Sequence, residues 1–159
     1  RKYEDLTRYV RWSGDGAADI PQTAALTEQQ QKLFDHGERL YGMTCFACHQ
    51  PTGKGMAGLA PPLVGSDWVD GSPQRLARIV LHGVQGPIEV DGETWNLIMP
   101  GHGVNPMFDD RGTAAVLTYI RRAWNNEADP VSPELIKQVR EATGDRLEPW
   151  TVDELMQVD

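Results

Sequence analysis

The chain has 159 residues, enough for one domain with appendages. Its 23 acidic and 15 basic side chains give a formal net charge of -8, which excludes the basic footprint of a nucleic-acid binder and suits charge-steered, transient protein contacts. Hydrophobic residues make up 40%, a composition compatible with a small core, and no apolar run reaches the length of a membrane span.

Residues 1–26 read as an N-terminal arm or linker of mixed polarity, with a Ser13-Gly14-Asp15-Gly16 turn cluster and Pro21. The chain begins at Arg1, and its first residues are not expected to be a signal peptide. A domain cut from a longer polypeptide is the preferred explanation, and a mature secreted chain is the other. Residues 27–128 form the expected main domain. Thr27-Glu28-Gln29-Gln30 is a capping box, and Leu33, Phe34, Gly37, Leu40 and Tyr41 make one apolar face of the helix it opens. Gly42 is expected to end that helix. Gly37 inside it costs roughly 1 kcal/mol against Ala, which suggests close contact with another helix.

Next comes Cys45-Phe46-Ala47-Cys48-His49. Two thiols three residues apart, followed directly by a histidine, make the pattern for covalent attachment of a c-type haem. On one helical turn, both sulfurs meet the two vinyl groups on one edge of the porphyrin. His49 then falls beneath the iron as an axial base. A redox dithiol would expect a βαβ context, which is not seen. Structural zinc would need four ligands, and there is no second Cys pair. Two plain structural cysteines are the remaining reading.

The Gly-rich stretch Pro51–Leu59 can run along a flat ligand edge. In Ala60-Pro61-Pro62-Leu63 the Pro61 carbonyl is free of any helix, and is expected to accept the second ring N–H of His49, which would fix the ring and raise its basicity. Trp68 is either a haem contact donating its indole N–H to a propionate or a core residue. Ser72-Pro73 starts a second helix with Leu76, Ile79, Val80 and Leu81 on its apolar side; Gly83 stops it, and His82 is expected to complement the dipole of its last turn. Ile88–Val90, Asp91-Gly92 and Glu93–Trp95 read as a small hairpin.

Met99, in Met99-Pro100, is the candidate sixth ligand. Its thioether suits haem iron, and the chain between it and His49 is long enough to cross to the other haem face. Met107 and His102 are rivals, whereas Met43 and Met56 lie too near the attachment motif. A third helix, capped by Asp109 or Asp110, runs to about Asn125 and buries Val116, Leu117, Tyr119, Ile120 and Ala123 or Trp124; Val116 and Tyr119 are expected to meet Gly37 and Tyr41. Residues 129–159 form an extension, with a helix from Ser132-Pro133 to Gly144 and a short turn capped by Thr151. It either braces the pocket or docks on a partner.

Taken in order, Gly37-xxx-Tyr41, Cys45-xx-Cys48-His49, Pro61-x-Leu63, Met99-Pro100 and Val116-xx-Tyr119 resemble class I cytochrome c in its single-haem form, over about residues 27–126. The resemblance implies an all-α fold of three main helices around one covalent haem, here with a C-terminal helical extension. It implies one haem c with iron, His49 and Met99 as axial ligands, and a pocket that includes Cys45, Cys48, Pro61, Leu63 and Trp68. It also implies a periplasmic or otherwise extracytoplasmic location. The stretches Pro61–Ser66 and Leu81-His82-Gly83 through Met99-Pro100 further resemble cytochrome domains fused to bacterial dehydrogenases. The expected role is one-electron transfer to a redox partner or fused dehydrogenase domain, as a carrier and not an enzyme. The alternatives are a five-coordinate haem that acts on or senses peroxide or diatomic gases, with His102 as a distal candidate, and an acidic interaction module without haem.

Overall fold

The computed structural model describes residues 24–158, so nearly all of the expected N-terminal arm, including its turn cluster and Pro21, lies outside the described residues. Helix α1 spans Glu28–Leu40. Its capping box is formed: the Thr27 hydroxyl accepts from Gln30 N at 3.2 Å, and Gln30 Oε1 accepts from Thr27 N at 2.9 Å.

Gly42 does not end this helix. The chain passes through one π-helical turn, Tyr41–Cys45, straight into α2, Phe46–His49. The stop is Gln50, which takes a positive φ of 64°. Gly42 has helical freedom and no neighbour to avoid, so nothing there forces the chain out. The wide turn keeps the attachment motif on the same continuous rod as α1, and such π-turns recur at functional sites.

Asp67–Asp70 (α3) and Pro73–His82 (α4) follow, the latter with Ser72 as N-cap accepting from Arg75 N. Strands β1, Gly83–Val84, and β4, Met99–Pro100, pair antiparallel; between them β2, Pro87–Val90, and β3, Glu93–Asn96, form the expected hairpin. Helix α5, Asp110–Arg122, takes Asp109 as its cap. It crosses α1 at Gly37, where a Cβ would sit 2.0 Å from the Ala115 carbonyl oxygen and 2.9 Å from the Tyr119 Cβ. Of the two residues expected there, Tyr119 is in place, and the nearest approach is by Ala115, one position before Val116, because the missing side chain admits a backbone carbonyl. Tyr119 does meet Tyr41, with ring centroids 5.3 Å apart, and Trp124 and Phe34 complete the aromatic cluster.

Two further expectations for α5 are corrected. It ends at Arg122, followed by a short 3-10 turn in which Trp124 is left-handed at φ 54°. That turn lets the Trp124 indole donate to Pro51 O at 2.9 Å and lie over Gly53. The helix is also buried on every side from Gly112 to Arg121, not along one stripe. Helix α6, Pro133–Thr143, covers the far side with Ile136 and Val139, and the Thr118 hydroxyl both accepts from Val131 N and donates to its carbonyl. The buried Arg121 guanidinium donates to Val69 O, Gly71 O and Asp129 O at 2.8–2.9 Å, tying α3 and the start of the extension to α5. A final short helix, α7, spans Val152–Leu155. Among the described residues no helix is long and apolar enough to cross a membrane.

Candidate functional site

The α1–α5 crossing and α4 leave one apolar cleft between the attachment helix and the β1–β4 ladder. Cys48 and His49 line it from α2, and Pro61 and Leu63 from the loop that follows. Val69, Leu76 and Ile79 come from α3 and α4, and Trp68, Trp95 and Met99 complete the wall. Six of the seven sequence-derived site residues therefore share one cavity. Cys45, the seventh, is half-buried one turn back from Cys48 and packs against the main core.

His49 is buried, and its Nδ1 lies 3.1 Å from the Pro61 carbonyl oxygen. A carbonyl only accepts, so Nδ1 carries the proton and Nε2 keeps a free lone pair. Burial lowers the histidine's pKa, and the bond to Pro61 opposes this only in part. The ring is thus neutral, the form that binds metal. The loop that delivers Pro61 is tight: Gly55, at φ 70°, lies so close that a Cβ would sit 2.3 Å from Ala60 O and 2.7 Å from Pro61 O, and Gly55 N donates to His49 O. Its glycines therefore serve close backbone approach and the Trp124 ring. At Gly53 and Gly55 protein atoms fill the space that the sequence reading left for a ligand edge, whereas Gly58 is open and Leu59, at the end of the stretch, does line the cleft.

Burial, and secondarily the charge of Cys48, pushes the Cys45 thiol up to about 11, the opposite direction from the lowered pKa of a redox-active thiol. The two thiols are unpaired with each other and lie one turn apart on the rod, as two covalent attachment points require.

Met99 is half-buried on β4, in register with Val84 of β1. The rivals fall elsewhere. Met107 lies partly exposed in a 3-10 turn, and the His102 ring stacks on Phe108 with centroids 5.2 Å apart. Neither lines the cleft. Met43 and Met56 are exposed.

Two tryptophans line the cleft. The Trp68 indole N–H donates to Glu89 O at 3.0 Å and so ties the hairpin over the cleft; of its two expected roles, the one with a propionate would need that bond broken. Trp95, which sequence reasoning passed over, is 8% exposed and its Nε1 has no hydrogen-bond partner among the described residues. A buried, unpaired N–H in an apolar cleft calls for an acceptor. The signal was available: Trp95 is the one inward position of β3, between exposed Thr94 and Asn96.

His82 also departs from expectation. Burial and the nearby Arg146, Arg140 and Arg78 cations lower its pKa, with a backbone contact to Arg78 opposing. The Trp150 indole donates to its Nδ1 at 3.0 Å. It is a neutral acceptor that anchors the extension and not a cation on the helix dipole.

The donor set fits a haem. One imidazole has one nitrogen already committed, one thioether shares the cavity, two thiols one turn apart precede the imidazole, and a buried N–H lacks an acceptor. Residues 34–124 match the family model described as cytochrome c. The chain is 33% identical over 113 residues to cytochrome c-552 of Thermus thermophilus, an alignment that covers 65% of this chain and 83% of that protein. It is also 29% identical over 112 residues to the cytochrome c subunit of a quinone alcohol dehydrogenase from Gluconacetobacter polyoxogenes, covering 68% of this chain but 23% of that subunit.

Proposed function

The chain belongs to the cytochrome c family and carries electrons on a covalently bound haem c, and from that premise we propose how its own residues do so. Cys45 and Cys48 would form the thioether links, and His49 and Met99 would hold the iron. The bound haem supplies the one-electron couple of its iron. The protein supplies the rest. The Pro61 carbonyl holds the His49 ring in one tautomer and orientation. The apolar lining keeps water from the iron and stabilises the less charged, reduced form. With His49 and Met99 both holding the iron, no position would be left on it for a substrate. The observation that carries this reading is that His49 and Met99, from elements far apart in sequence, line the same apolar cleft while Met107 and His102 do not.

Likeness to the cytochrome c subunit of a quinone alcohol dehydrogenase supports a relay role beside a dehydrogenase, outside the cytoplasm, where covalent haem attachment takes place in bacteria. The net charge of -8 suits a brief encounter steered by a complementary basic surface.

The test is spectroscopic. The oxidised protein should show the near-infrared band of a sulfur–iron bond, and the reduced protein should bind carbon monoxide only slowly, at a rate limited by departure of the thioether. Ready carbon monoxide binding with no such band would favour the five-coordinate alternative instead.

Trp95 gives a second prediction. We assign its free N–H to a haem propionate. Trp95→Phe keeps the ring and loses the donor, so the carboxylate becomes less well neutralised and the oxidised iron is favoured. The reduction potential should fall on the order of 50 mV, about tenfold in a one-electron equilibrium, with helix content unchanged. An unchanged potential by redox titration would mean the N–H points at something else.

A further inference from the structure

We propose that the C-terminal extension is a positioning element for the sixth ligand: Arg140 and the Pro149–Trp150 segment clamp the Met99 loop and its partner strand β1 from behind. The inference rests on Met99 being the iron ligand.

The ladder that holds Met99 is only two residues long, Gly83 opposite Pro100 and Val84 opposite Met99, and a pairing so short is not stable alone. The extension flanks β1 on its other edge. Val84 bridges Trp150 in parallel. Trp150 N donates to Gly83 O at 2.9 Å, Gln85 N donates to Trp150 O at 2.8 Å, and the Gln85 side chain donates to Pro149 O. β1 is thereby the middle strand of three, with the ligand on one side and the extension on the other.

The loop beyond Met99 is held in the same way. Its inner side lies against the end of α4: His102 N donates to Val80 O and Gly103 N to Leu81 O, both at 2.9 Å. A Cβ at Gly101 would come within 2.6 Å of the His82 Cα. Its outer side is gripped by Arg140 of α6, whose Nη1 donates to Gly103 O at 3.0 Å and whose Nη2 donates to Phe108 O. The same guanidinium pairs with Asp110 at 2.9 Å. One side chain thus spans both ends of the turn from 103 to 108 with charge-assisted bonds, the stronger kind.

The grip of Trp150 is itself fixed. The Arg146 guanidinium lies 3.6 Å from its ring centroid, and its Nε1 donates to His82. Leu155, fully buried, joins Ile79 and Val84 in a small cluster against which Trp68, Trp150 and Met99 pack. A neutral thioether binds iron with little electrostatic help, so the fraction of time it is bound depends on how firmly its backbone is held. The extension supplies that hold.

The test uses the full-length holoprotein. Arg140→Met keeps the aliphatic stem and loses all three polar contacts; Arg140→Lys keeps the charge. In the reduced Arg140→Met protein, carbon monoxide should bind about tenfold faster or more, and amide exchange over residues 99–103 should accelerate by a similar factor, as loss of charged hydrogen bonds implies. Exchange over 45–49 should not change, and Arg140→Lys should recover part of the effect. Trp150→Ala, which empties the ring's place beside β1, should give the same signature should Arg140→Met fail to fold. Wild-type carbon monoxide binding and exchange in the folded variants, or an acceleration spread evenly over the chain, would overturn the clamp. Met99→Ala separates the two claims. If it keeps the sulfur–iron band, the ligand assignment fails and the clamp with it; if it loses the band while Arg140→Met behaves as wild type, the clamp alone fails.

Discussion

Met99→Ala is expected to remove the near-infrared sulfur–iron band, open the reduced iron to carbon monoxide and lower the reduction potential. The drop should be of the order of 0.1–0.3 V, a part of the roughly 0.8 V that axial ligation commands. Its direction follows from the donor: a thioether favours the reduced iron, and water or an empty position in its place does not. The fold should survive, because Met99 is half-buried at the edge of the core and its backbone pairing with Val84 does not need the side chain. Truncating a fully buried methionine costs about 2–5 kcal/mol, and this site should cost less. Met107→Ala is the control, since Met107 sits outside the cleft in a partly exposed turn. It should leave the band, the potential and the carbon monoxide response unchanged. Were the two variants to trade behaviours, the ligand would be Met107 and the cleft would need another explanation.

The same geometry weighs against a catalytic or gas-sensing role. Such a role wants a polar or acid–base group over the iron. Apart from Cys48 and His49, no ionisable side chain lines the cleft among the described residues. The sequence offered His102, three positions beyond Met99. In the fold its backbone is tied to Val80 and its ring is stacked on Phe108, where burial lowers its pKa. It braces the methionine loop instead of reaching over the iron.

Much of this was legible in the chain because it is written in local chemistry. The Thr27, Ser72, Asp109, Ser132 and Thr151 caps all accept the backbone N–H groups that their spacing implied. So did the hairpin turn, where Asp91 and Gly92 both take positive φ. The attachment motif and the reach from His49 to the Pro61 carbonyl are short-range as well. What escaped were features set by tertiary neighbours. Gly42 looks like a helix stop until the π-turn carries the chain past it. Helix α5 reads as one-sided because Thr113, Thr118 and Arg121 are polar, yet each finds a backbone carbonyl and all are buried. His82 reads as a helix-end cation until burial, Arg140, Arg146 and Trp150 from the extension, and Arg78 of its own helix are brought around it. The extension could not be assigned to bracing or docking for the same reason: its strand-like contact with β1 is a single bridge, invisible to any periodicity.

Gly37 and Gly42 make the sharpest test of the fold, because both lie within one helical rod and only Gly37 faces a neighbour. At Gly37 a methyl group would lie 2.0 Å from the carbonyl oxygen of Ala115. That oxygen belongs to the backbone of a helix buried on all sides, so it cannot swing away; α1 and α5 must separate. Overpacking costs typically 1–3 kcal/mol, and collision with backbone belongs at or above the upper end. The gain in helix propensity from Gly to Ala offsets about 1 kcal/mol. Gly37→Ala should therefore lose about 2 kcal/mol or more net, lowering the melting temperature by roughly 4–8 °C for a chain of this size. The strain should also reach the site, since α1, the π-turn and α2 are one rod and Tyr41 locks it to Tyr119 and to Gln50 O. Gly42 is exposed, helical and has nothing within 4 Å of an added Cβ. There Ala should be neutral or stabilise by up to about 1 kcal/mol. Thermal denaturation of the two single variants decides the matter: if Gly42→Ala is the damaging change and Gly37→Ala the mild one, the α1–α5 crossing is misplaced and the cleft built on it goes too.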